Sequence, residues 1–84
     1  MSKNIDWISD IYRLIGNTKS DIWYEITDYE TKTGVGYRLY VAKIGIYSRD
    51  YLGSYHSLEG AKFSAKLHLK DFEWWLTINK EIRS

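Results

Sequence analysis

Between Leu58 and Leu76 the apolar residues Leu58, Ala61, Ala65, Leu69, Phe72 and Leu76 follow one another at steps of three, four, four, three and four. A rod that turns once in 3.6 residues gathers all six into one stripe, which predicts an amphipathic helix over 58–76 lying on an apolar surface. Ala61 and Ala65 permit close approach to that surface, while Leu69, Phe72 and Leu76 fill the space where a straight rod diverges from a twisted sheet. Ser57 stands immediately before the run, where a hydroxyl can cap the first turn.

The surface has to come from the residues before it, and their period is two. In "DIWYEITDYE", Ile22, Tyr24 and Ile26 fall on one side and Trp23, Glu25, Thr27 and Tyr29 on the other, the alternation of a half-buried strand. "TKTGVG" reads as a glycine-bearing hairpin loop, and "YRLYVAKIGIY" as a longer strand. In the longer strand Leu39, Val41, Lys43 and Tyr47 share one face, and Tyr40, Ala42, Ile44 and Ile46 share the other. "YLGSYH" is a short third strand. Near the start, Ile5, Ile8, Tyr12 and Ile15 recur at three, four and three, widened by Trp7, Ile11 and Leu14. That spacing predicts a further helix over 5–15, with Ser2 or Asn4 as cap and Gly16-Asn17 as exit. The expected fold is α+β, in the order α-β-β-β-α: one domain over residues 1–84, an antiparallel three-stranded meander with helices packed on one face.

A chain of 84 residues has room for one small core, and 14 aromatic residues (4 Trp, 8 Tyr, 2 Phe) supply much of what it can bury. There is no cysteine, so neither a disulfide nor a thiolate ligand is available, and a cytoplasmic location is expected. The opening "MSKNIDWISD" has no apolar core of a signal peptide, and no apolar run is long enough to span a bilayer; no membrane partner is expected. Net charge is +1, but unevenly placed: residues 1–31 carry three basic and six acidic side chains, net −3, and residues 32–84 carry nine and five, net +4. A polyanion would meet the second half.

Catalytic constellations are missing from the sequence. The two histidines, His56 and His68, stand twelve residues apart without neighbouring ligands, and the carboxylates are scattered singly. No catalytic residue, cofactor site or metal site is expected. Recognition has more to draw on. Lys62, Lys66 and Lys70 recur every four residues and form one row on the predicted helix. Lys43, Tyr47, Arg49 and Tyr51 cluster about the second and third strands, where interleaved basic and aromatic side chains can straddle nucleotides. Trp23, Trp74 and Trp75 are candidate interface aromatics, Trp74 and Trp75 because neighbouring indoles on one helix cannot both enter the same stripe.

Residues 37–76 resemble the three-stranded-sheet DNA-binding domains of plant ethylene-response factors and their relatives in phage integrases and homing endonucleases. "YVAKI" at 40–44 matches an aromatic-x-Ala-x-Ile strand, and "YLGSYHSLEGAK" at 51–62 matches the following strand and helix start. The resemblance implies that Lys43 and Tyr51 face the major groove; the chain departs from it in its acidic "DIWYEITDYE" strand and in Gly45, where a groove-reading arginine is usual. The expected element order also resembles a double-stranded RNA-binding domain. Three kinds of partner therefore stand open for this binding module: nucleic acid through the 37–76 surface, a protein bound by a phage-type accessory or inhibitor, and a second copy in a homodimer.

Overall fold

A computed structural model describes residues 5–10 and 12–83. Five strands, β1 (Asp6–Ser9), β2 (Leu14–Asn17), β3 (Ile22–Thr31), β4 (Gly34–Lys43) and β5 (Arg49–Tyr55), precede a single helix, α1 (Leu58–Arg83). The strands form one antiparallel sheet in the order β1-β2-β3-β4-β5, so every strand pairs with its neighbour in the chain. The expected α-β-β-β-α order with a three-stranded meander is thus corrected to a five-stranded sheet followed by one helix.

The error lies in residues 5–15. Their apolar spacing suits a helix, yet Trp7 pairs with Gly16 and Ile8 with Ile15 across a hairpin whose corner is closed by Asp10 N–H donating to Arg13 C=O at 2.8 Å. Isoleucines and a tryptophan dominate the stretch, residues that fit a pleated surface better than an isolated helix of three turns. The exposed edge of β3 supplies the partner, since β2 pairs along it from Leu14↔Ile26 to Asn17↔Trp23. Gly16, read from sequence as a helix exit, is a buried strand residue: a Cβ there would lie 2.7 Å from both the Trp7 ring and Ile5. Ser2, Asn4 and Ile11 lie outside the described residues.

The helix covers one face of the sheet. Its Ala61, Ala65 and Leu69 are fully buried against Ile22, Tyr24 and Ile26 of β3 and Leu39 of β4. Trp7, Leu14, Tyr37, Val41, Leu52 and Tyr55 pack around that centre. Ser57 caps α1, its Oγ accepting from Gly60 N–H at 3.0 Å, with Glu59 in the first turn favourably placed for the helix dipole. The helix continues past the predicted end at 76 to Arg83. At 26 residues it is about 39 Å long, and among the described side chains Phe72 is the last one packed against the core.

One polar contact is enclosed between the layers. The Tyr24 hydroxyl, on a fully buried ring, meets His68 Nδ1 at 2.7 Å, with the two rings edge-on. Burial raises the phenol above its ordinary value, assisted by the Glu73 carboxylate, to which Ser20 Oγ donates at 2.8 Å. Burial likewise lowers the imidazole, partly offset by Asp71, so the folded state holds both groups neutral. His68 binds its proton less readily folded than unfolded. Its contribution is therefore intact above the ordinary histidine value of 6.5 and is lost as pH falls through the lowered folded value. The urea midpoint is expected to fall between about pH 7 and pH 5, and His68→Gln should flatten that part of the profile. An unchanged slope in the variant would remove His68 as its source.

Candidate functional site: the open face of the sheet

Because α1 lies on one side, the opposite side of the sheet is uncovered, and its composition is fixed by the register. Trp23, Glu25, Thr27 and Tyr29 of β3 pair with Ala42, Tyr40, Arg38 and Gly36 of β4. A bulge at Leu39/Tyr40 then brings Tyr51 opposite Tyr40 and Arg49 opposite Ala42. Arg13, at the corner between β1 and β2, reaches over the same face.

At the centre sits Glu25, only 5% exposed on a face with no covering layer. Its burial comes from the side chains around it. Arg13 Nη1 donates to Oε1 at 3.2 Å, and Arg49 Nη1 donates to Oε2. One carboxylate thereby ties the β1–β2 corner to the start of β5 across the width of the sheet. The guanidiniums also engage rings: Arg49 lies 3.9 Å from the Tyr40 centroid, Arg38 4.1 Å from that of Tyr29, and Arg13 6.0 Å from that of Trp23. Tyr40 and Tyr51 are tilted together with centroids 5.7 Å apart. Gly36 belongs to this arrangement, because a Cβ there would lie 2.5 Å from the Tyr29 ring; only a glycine lets the phenol lie flat across the strand. The result is a plane of four aromatic rings and three arginines, with Arg38 held by no carboxylate among the described residues.

No family model, curated protein or solved structure matches this chain. Among the described residues no cluster of histidine and carboxylate could hold a metal ion, and no helix is long and apolar enough to cross a membrane.

The residues singled out from the sequence divide between three surfaces. Arg49, Tyr51 and Trp23 lie on the open face. Lys43 does not: it shares the Leu39 and Val41 side and lines a cleft of about 350 Å³ with Ile46, His68 and Phe72 at the end of the sheet. Tyr47 is fully exposed in the loop between β4 and β5. Lys62, Lys66 and Lys70 are on α1, on the other side of the molecule from Arg49 and Tyr51, and Lys62 approaches the Trp7 ring at 6.0 Å. Trp74 and Trp75 are exposed on the helix at 66% and 57%, beyond Phe72. The single docking surface expected from sheet and helix lysines together is not assembled. Arg13, Glu25, Tyr29, Arg38 and Tyr40, absent from the sequence-derived set, form most of the open face. The alternation of Trp23, Glu25 and Tyr29 was the available signal, and it needed the strand register to join it to Arg38 and Arg49.

Proposed function

We propose that this chain is a non-catalytic binding module that takes nucleic acid on the open face of its sheet. The observation that carries the reading is the interleaving of Arg13, Arg38 and Arg49 with Trp23, Tyr29, Tyr40 and Tyr51 on one uncovered plane. Guanidiniums attract phosphates and release their counterions, and ring faces accept bases or sugars; a two- or three-stranded surface fits a major groove. The likeness of residues 37–76 to sheet-reading DNA-binding domains supports the same face through Tyr51, though not through Lys43.

Fluorescence anisotropy with labelled duplex and single-stranded DNA tests this. Binding is expected at about 50 mM salt and should weaken by an order of magnitude or more at about 200 mM. Arg38→Ala removes an arginine that bridges no carboxylate among the described residues, and should weaken binding about tenfold while reducing the salt slope by about one. Tyr51→Ala should weaken it by a further ~1–3 kcal/mol if a base stacks there. Absence of binding to either form at low salt, with protein at about 100 µM, would reject the proposal.

A further inference from the structure

The outer side of α1 is apolar a second time. Phe63, Leu67 and Trp74, 60%, 47% and 66% exposed, stand at steps of four and seven, and none belongs to the stripe that Ala61, Ala65 and Leu69 bury against the sheet. Counting 100° per residue, the three fall within about 40° of one another and lie diametrically opposite the sheet contact. A helix with a packed face and a second apolar face directly behind it is built to lie between two layers.

We infer that the second layer is another copy of this chain, docked through Phe63, Leu67 and Trp74 with the two helices side by side and parallel. The charges choose this occupant. The middle of the stripe is flanked on one side by Lys66 and Lys70 and on the other by Asp71, the residue next to Lys70, all three exposed and none in an ion pair among the described residues. Two adjacent opposite signs flanking an apolar line are self-complementary. A two-fold axis running along the paired helices sets each chain's Lys70 flank against the other's Asp71 flank at the same height, and closes Lys70 to Asp71 twice. The same axis places Phe63, Leu67 and Trp74 each against its own copy. An antiparallel pair would instead oppose lysine to lysine and aspartate to aspartate. Both sheets stay on the outside of such a dimer, so the proposed nucleic-acid face remains open, and neither proposal uses a residue of the other.

Sedimentation equilibrium tests the assembly and a cysteine tests its direction. The protein is expected to dimerise in the micromolar range. Lys70→Asp alone or Asp71→Lys alone should weaken the dimer about tenfold, since symmetry repeats each change, and the double exchange in one chain should restore it to within about twofold. The chain contains no native cysteine. Leu67→Cys should therefore form an interchain disulfide under mild oxidation, whereas Arg38→Cys on the open sheet face should not. A monomer at about 200 µM overturns the inference. So does a dimer that survives Phe63→Asp with Trp74→Ser in a chain shown folded by circular dichroism. Failure of the double exchange to rescue, or of the cysteine at 67 to cross-link, overturns the parallel arrangement.

Discussion

Leu69→Ala should cost about 2–5 kcal/mol of folding stability, a large share of what a domain of this size possesses. Leu69 is fully buried beneath α1 and is the point where the helix, having run close over Ala61 and Ala65, begins to need a longer side chain to keep contact with β3 and β4. Truncation removes the transfer energy of the lost methyl groups and leaves a void that neither the helix nor the paired strands can close without breaking hydrogen bonds. The check is a urea titration in which the midpoint falls while the slope is unchanged. Leu67→Ala, two residues away and nearly half exposed, is the internal control and should stay within about 0.5 kcal/mol in dilute protein. Equal losses in the two variants would mean that α1 is turned differently from the orientation described above.

Glu25→Gln should move two properties in opposite directions. Stability should drop by about 1.5–3 kcal/mol, because the bridging carboxylate gives up two charge-assisted hydrogen bonds that hold the β1–β2 corner and the start of β5 to β3. The loss stays below that of a fully interior ion pair, since Arg13 and Arg49 are each about 40% exposed and can regain water. Affinity for duplex or single-stranded DNA should rise, and the salt slope should steepen by about one, as Arg49 is released from its neutralising partner while Arg13 keeps Asp10 at 3.5 Å. A purely structural bridge predicts the first change without the second. Thermal melting and anisotropy on one preparation separate the cases, and a weakened variant with unaltered or reduced binding would count against the open face as a polyanion surface.

How far these features could be read in advance depended on whether each was local. The helix over α1 was legible because its signal is a ladder of six apolar residues, repeated within one segment and bounded by a capping serine. The strands β3, β4 and β5 were visible in their middles through alternation, but not at their ends: the strand read as 37–47 runs from Gly34 to Lys43, since Gly34 and Gly36 pair within the sheet and the chain turns at Gly45. Residues 5–15 were not, because their spacing satisfies a helical stripe and their identities satisfy a sheet; the free edge of β3 decided, and an edge exists only once the rest is folded. The open face failed to be legible for a related reason. Arg13, Glu25 and Arg49 are separated by 12 and 24 positions and meet only through strand pairing and a one-residue bulge. The two-sided character of α1 was present in the letters, but the lysine row drew attention to the flank instead of to Phe63, Leu67 and Trp74 behind the core.

Strand pairing confined to chain neighbours has a kinetic meaning for this molecule. Each hairpin closes a loop of only a few residues, so the ribbon can zip from the amino end as the chain emerges, with little entropy spent on distant encounters. Its lid is made after every strand. Until residues 58–72 arrive, Ile22, Tyr24, Ile26 and Leu39 face water on a nascent sheet, and that interval, more than the finished state, is when this protein is most exposed to clumping with its own copies.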